Sequence, residues 1–353
     1  MKTVGIVSEF NPFHNGHKYL IDTVREKLQA DCVVSVMSGN YTQRGEPAVF
    51  DMYSRAEIAC KNGVDLVLEL PPQFVLTSAQ YYAYYSVYLL HQLGSIDYLC
   101  FGSECGDLSV LQSAILQNVS ALKNQMKTGV TYAKAVSDSD LLNQPNNILA
   151  VEYLRALKKL HSPILPYTIK RISVDHNSKE TSGQFASASL LRKKIKKGED
   201  ISFFVPEVPN TDPIFEDSLI PCLKYRLLCA TQEDISGINN ISEGLENRFL
   251  KYRDQASLQN IIDAVKCKRY PETRIRRALY SLLLNIPKSE DLPGYTRVLA
   301  FTKTGQDFLK ATKESSALTI YSRLTKKDIA KNPQLRKELY CNELYTLAKD
   351  LSR

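Results

Sequence analysis

The sequence predicts an α/β protein, a doubly wound parallel sheet followed by a smaller, mainly helical C-terminal domain. Three observations carry this. Short apolar, β-branched runs alternate with helical patterns through residues 1–197. Those runs are continuously apolar, as strands buried on both faces must be. Beyond a proline-containing stretch the periodicity turns helical.

The elements follow in order. Strands are expected at Thr3–Ser8, Cys32–Met37, Asp65–Leu70, Tyr98–Gly102 and Tyr167–Ile172. Helices are expected between them at Gly16–Gln29, Arg55–Asn62, Ala79–Leu93, Leu108–Thr128 and Pro145–Leu160. Pro145 opens the last of these, where its missing N–H costs nothing. Such a sheet binds ligands beyond the carboxyl ends of its strands. Residues 198–217 carry Pro206, Pro209 and Pro213 among acidic and polar residues and read as a linker. The second domain, 218–353, is expected to be built from helices at Leu219–Thr231, Gly244–Arg253, Ser257–Cys267, Thr273–Leu284 and Gln334–Leu351, with no β-rich block.

Composition bounds the rest. The chain has 353 residues, 44% hydrophobic and 24% charged, which excludes disorder or coiled coil as the main state. Eight cysteines are scattered without a C-x-x-C pair, and Cys32 and Cys100 lie inside apolar runs. Reduced thiols and no metal centre are expected. The N-terminus MKTVGIVSEF lacks the apolar core of a signal peptide. The longest uncharged stretch, Leu70–Ile96, is broken by Pro71, Pro72, Gln73, Gln80 and five tyrosines. A cytoplasmic protein with no membrane partner is therefore expected. Helical spacing of Tyr81, Tyr82, Tyr84, Tyr85 and Tyr88 favours core packing over stacking on a splayed base.

Charge is distributed unevenly. Residues 1–190 carry a net −1 and residues 191–353 a net +8. The densest piece, Arg248–Arg277, holds nine basic residues against three acidic ones. A solvated helix face is the plain reading of such a run, and a polyanion partner is the functional one.

The most informative segment is SEFNPFHNGHKYL, Ser8–Leu20. It leaves an apolar strand and enters a helix near His14-Asn15-Gly16-His17. A helix starting there points free N–H groups and its positive dipole end at the crevice above the sheet, a ready anion site. Gly16 lets a phosphate approach the backbone. His14 and His17 share the first turn and can donate hydrogen bonds to one phosphate as its charge rises. A capping or core pair is the alternative. A second element, Ser187-Ala188-Ser189-Leu190-Leu191-Arg192, opens a basic helix. Ser187 and Ser189 can cap it or bind phosphate oxygens, and Arg192 can clamp the β- and γ-phosphates. The polar segment Gly39–Ala48 after the second strand is long for a connection, and Gln43, Arg44 and Glu46 there are candidates for holding a substrate.

The H-N-G-H and S-A-S-L-L-R strings resemble the two signatures of the nucleotidylyltransferase superfamily, whose α/β fold forms adenylates. The runs GIVSEFNPFHNGH, MSGNYTQRGEPAVF, GVDLVLELP, FGSECGD, QPNNILAVEY and KRYPETRIRR further resemble the bacterial tRNA(Met) cytidine acetate ligase family, over essentially the whole chain. That resemblance implies ATP-dependent activation of acetate as acetyl-adenylate, then acetylation of the wobble cytidine of elongator tRNA(Met). Mg²⁺ would accompany the triphosphate. It implies ATP contacts from the loop Val7, Ser8, Glu9, Phe10, Asn11, Pro12, Phe13, His14, Asn15, Gly16, His17, Lys18, Tyr19 and Leu20, with Gly102, Asn147 and Arg171. The basic second domain would hold tRNA through Arg274, Arg276 and Arg277. The competing readings are a small-molecule nucleotidylyltransferase and a non-catalytic RNA- or ATP-binding protein. Each plain alternative stands beside its residue: a strand-end turn for Gly102, a first-turn role for Asn147, a surface strand position for Arg171, a solvated helix position for Lys18.

Overall fold

The computed structural model describes residues 1–115, 143–172 and 183–351. Five parallel strands form most of the sheet: β1 (Thr3–Ser8), β2 (Cys32–Ser38), β3 (Leu66–Leu70), β4 (Tyr98–Ser103) and β5 (Leu165–Lys170). The continuous apolar character of β1 to β4 follows from burial on both faces, whereas β5, at the sheet edge, is largely half-exposed. Ile21 and Val24 of α1 (Asn15–Leu28) and Met52, Ala56 and Ala59 of α2 (Met52–Lys61) cover one face. The other is covered by Ala83, Val87 and Leu90 of α3 (Ala79–Gln92) and Ala150, Val151 and Leu154 of α4 (Pro145–Lys159). Residues 108–115 are helical; the remainder of the helix expected at Leu108–Thr128 lies outside the described residues.

The strand order is β5-β4-β1-β2-β3-β6-β7. The chain runs outward from β1 through β2 to β3, then crosses to β4 on the other side of β1. The carboxyl ends of β1 and β4 thus flank the point where the order reverses, which opens a crevice there.

After α5 (Ala188–Lys196), residues 198–217 are not a free tether. Ile201 and Val205 pack with Ala186 and Leu191, and Ile214 enters the helical core. That core joins α6 (Ile220–Cys229), α7 (Leu245–Tyr252), α8 (Leu258–Val265) and α9 (Glu272–Leu283). Each presents a stripe of Leu, Ile or Phe at helical spacing.

One stretch within 218–353 differs from the helical expectation. Residues Tyr295–Phe301 form β6, antiparallel to β3, and Thr319–Tyr321 form β7, parallel to β6. The sheet therefore has seven strands. YTRVLAF is β-branched and apolar enough for a strand, but its partner Leu66–Leu68 lies more than two hundred residues earlier, so no local pattern reveals the pairing. Helix α10 (Lys303–Ala311) follows, and α11 (Pro333–Leu351) closes the described chain against the helical core.

Candidate active site

The loop between β1 and α1 is held by two histidines that serve as the helix cap. His14 Nδ1 accepts the Gly16 N–H at 3.1 Å, and His17 Nδ1 accepts the His14 N–H at 3.2 Å. This is a reciprocal capping box in which imidazole replaces the usual hydroxyl and carboxylate. The rings stack with centroids 3.7 Å apart, and Phe10 and Phe13 pack against His17. An added Cβ at Gly16 would lie 2.9 Å from His14 Cε1, so only glycine leaves room for the ring. The pair therefore caps α1, as the capping alternative expects.

The electrostatics follow from that geometry. Burial, with Arg171 and Arg192 nearby, lowers the His14 pKa to about 3. Burial and the neighbouring His14 hold His17 well below its ordinary value. Both imidazoles are neutral at pH 7. Because each Nδ1 accepts a backbone N–H, each ring proton resides on Nε2, which makes Nε2 a donor.

An open cleft lies beside this cap. His14, Gly16, Tyr19, Leu20, Gly102, Arg171 and Ser187 line it, uniting the first loop, the end of β4, the end of β5 and the start of α5. The Arg171 side chain crosses Gly102. Motif reading did not single out Ile169, Ile172 and Phe185, which complete an apolar wall suited to a planar base. Their strand-end and loop positions beside Arg171 and Ser187 were the available signal.

The other residues of the loop support it. Ser8 Oγ meets Ser35 Oγ at 2.8 Å, Asn11 Oδ1 accepts the Val49 N–H at 2.8 Å, and Asn15 Nδ2 donates to Gln184 O at 2.9 Å. Pro12 is buried, Val7 is half-buried against the sheet core, and Lys18 pairs with Asp22 along α1. Asn147 lies behind the cleft: its Oδ1 accepts the Glu104 and Cys105 N–H groups at 3.0 and 3.2 Å, fixing the turn after Gly102.

On the second motif, Ser187 Oγ caps α5 by accepting the Leu190 N–H at 3.2 Å, while Ser189 is half-buried in the first turn. Arg192 donates to Asn11 O at 3.0 Å and meets Glu46 at 3.4 Å, so it ties the first loop to the Gly39–Ala48 loop. Glu9 Oε1 accepts the Gln43 N–H at 2.7 Å, and Gln43 Nε2 donates to Thr77 O at 2.8 Å. Burial raises the Glu9 carboxyl pKa. Arg44 is exposed on the same loop.

Arg55, which the motifs did not flag, is fully buried in α2. It donates to the carbonyls of Phe50 (2.9 Å), Ser38 (3.3 Å), Gly39 and Glu9, joining the ends of β1 and β2 to the loop after them. A cation within the apolar stripe of MYSRAEIA was its signal. Of the tyrosines, Tyr82 and Tyr85 are buried while Tyr81 is 52% exposed.

The three arginines of α9 have different surroundings. Arg274 meets Glu243 at 3.0 Å and Ser242 at 2.8 Å. Arg276 is bound to Glu216, to Glu272 at 3.1 Å and to Gln259 at 3.2 Å. Arg277 is buried.

A mostly parallel sheet with a histidine-capped helix at its reversal point fits a nucleotide-transferring class. The family model described as HIGH Nucleotidyl Transferase matches residues 1–353. The tRNA(Met) cytidine acetate ligase of Thermoanaerobacter sp. (strain X514) is 37% identical over 385 residues, covering 99% of this chain and 96% of the relative. The enzyme of that name from Acetivibrio thermocellus is 34% identical over 394 residues, covering 99% and 94%. The apo crystal structure of Thermotoga maritima TmcAL superposes with a TM-score of 0.88 at 29% identity. The form bound with alpha-thio ATP gives 0.84 at 30%. Both cover 98% of this chain and 92% of theirs. The chain belongs to the tRNA(Met) cytidine acetate ligase family.

Proposed function

We propose that this protein activates acetate with ATP as acetyl-adenylate and transfers the acetyl group to the exocyclic amine of the wobble cytidine of elongator tRNA(Met). The observation that carries the reading is the pair of neutral, stacked imidazoles with both Nδ1 atoms engaged and both Nε2–H groups available, set at a helix N-terminus between Arg171 and Arg192.

An acetate oxygen attacks the α-phosphorus, the bond to the β-phosphate oxygen breaks, and pyrophosphate leaves. The Nε2 donors and the free N–H groups of α1 stabilise charge on the α-phosphate. Arg171 lies over the adenylate cleft, and Arg192 with Ser187 and Ser189 faces the leaving pyrophosphate. Ile169, Ile172 and Phe185 hold the base. In the second step the cytidine nitrogen attacks the acyl carbon, the bond to the phosphate oxygen breaks, AMP departs, and the amine gives up a proton. No covalent enzyme intermediate is needed, so positioning and electrostatics supply the rate.

The Gly39–Ala48 loop, with Gln43 and Arg44, borders the first loop and is assigned to acetate and the incoming cytidine. Among the described residues no three metal-ligating side chains cluster, so these residues offer no cage for Mg²⁺. The ion would be carried by the triphosphate oxygens and water. Also among the described residues, no helix is long and apolar enough to cross a membrane; a cytoplasmic location fits the tRNA substrate.

The test follows radiolabelled acetate with ATP and elongator tRNA(Met). Wild type is expected to label the wobble cytidine and release AMP. His14→Ala is expected to slow acetyl-adenylate formation by about 10²–10³-fold, the cost of one lost oxyanion donor. AMP without label on tRNA would remove the acceptor assignment, and no AMP with any acceptor would remove the catalytic reading.

A further inference from the structure

Arg277 is a buried cation that nothing in the described structure neutralises. It is 9% exposed on α9, and its Nε has no hydrogen-bond partner. No carboxylate among the described residues reaches it, whereas its neighbours Arg274 and Arg276 are both engaged by glutamates. The charged group that bears on it is Arg274, of the same sign; with burial, this lowers its pKa to about 10, which still leaves it protonated at pH 7. Burying a guanidinium without a counter-charge opposes folding, so its presence calls for a compensating partner.

Its place in the fold indicates which partner. Gly45, at the tip of the Gly39–Ala48 loop, has φ +81°, and an added Cβ there would lie 2.6 Å from Arg277 N. The loop tip rests on the backbone of this turn of α9. Two residues back, the Gln43 N–H is held by Glu9, and one residue on, Glu46 meets Arg192. Arg277 therefore lies where the basic helical part meets the loop bordering the histidine cap. A ligand spanning both must carry anionic groups along its length, as an RNA strand does and a single small anion does not.

We propose that Arg277 receives a backbone phosphate of the RNA substrate and so registers the strand against the acyl-adenylate. This rests on the tRNA-modifying reading above. The planar fork of arginine suits bidentate phosphate contact. Arg274 and Arg276, already paired, serve the fold of the helical part.

The experiment compares wild type with Arg277→Met by three measurements: binding of elongator tRNA(Met) across a series of salt concentrations, binding of ATP, and the thermal midpoint of the free protein. Loss of one phosphate contact is expected to reduce the slope of log affinity against log salt by about 0.7–0.9 and to weaken tRNA binding by about tenfold at low salt. ATP affinity is expected to match wild type. The midpoint is expected to hold or rise, because an unpaired buried charge has been replaced by an apolar chain of similar length. A wild-type salt slope overturns the proposal, whatever the midpoint does. Weakened ATP binding with an unchanged tRNA slope also overturns it and assigns Arg277 to the triphosphate. Should Arg277→Met not fold, Arg277→Gln is read for the same slope. Wild-type protein that binds tRNA without acetylating it would remove the ligase reading and leave this comparison intact.

Discussion

His14 and His17 are histidines whose charge the fold suppresses, and that suppression has a thermodynamic consequence. In the unfolded chain His14 takes up a proton below its ordinary value of 6.5, while in the folded protein it refuses one until about 3. The unfolded state binds more protons across that window, so stability attributable to this group is complete above pH 6.5 and falls as pH drops toward 3. The loss is about 1.4 kcal/mol per unit of pH for one such group. Urea midpoints measured between pH 7 and pH 4 are expected to decline, and His14→Asn, which keeps a capping acceptor but does not titrate, is expected to flatten the decline. An identical slope in the variant would mean that other groups dominate. At this scale much of the site was legible. A histidine pair at a strand exit is a local pattern, and the structure places His14, Gly16, Gly102, Arg171 and Ser187 around one cleft. The buried amide of Asn147 fastens the turn after Gly102, a contact that no motif spacing announces.

The Gly39–Ala48 loop shows how one element depends on another far away in sequence. Its length and polarity mark it as functional, but its rigidity comes from α11. Asn40 Nδ2 donates to Asn342 Oδ1 at 2.9 Å, Tyr41 OH donates to Cys341 O at 3.0 Å, and Tyr345 OH donates to Ala48 O at 2.7 Å. Tyr41 itself packs into the helical core with Tyr280 and Tyr345. These three bonds span 302, 300 and 297 residues of sequence, so no window of sequence could reveal the brace. Tyr345→Phe deletes one of the three bonds while leaving the ring in place. It is expected to cost about 1 kcal/mol of stability. If the loop positions the acceptor, it should also raise the KM for tRNA several-fold with little change in the KM for ATP. Equal changes in both would show that the brace acts on the whole site instead of the loop.

Across the whole molecule, the sheet and the helical part are joined through a buried charge cluster. Glu69 on β3 and Glu338 on α11 are both fully buried and both face Arg297 of β6, which contacts Glu338 directly and lies 3.6 Å from Glu69. Tyr295 OH adds a hydrogen bond to Glu338 at 2.5 Å. Burial and the Glu338 charge push the Glu69 carboxyl well above its ordinary range. This cluster explains why composition suggested two separable parts while the chain returns to its first sheet. Charge and proline content vary along the sequence, but the pairing of β6 with β3 is a contact across the fold. The same argument predicts how a fragment ending at residue 217 behaves. It would lose β6, exposing β3 as a bare, mostly apolar edge, and it would leave Glu69 without Arg297. It would also release the Gly39–Ala48 loop from α9 and α11. Size-exclusion and near-ultraviolet circular dichroism of residues 1–217 are therefore expected to show aggregated or loosely packed protein. A monomeric fragment with a cooperative thermal transition would mean that β6 only covers the sheet edge and that the ATP-binding half folds on its own.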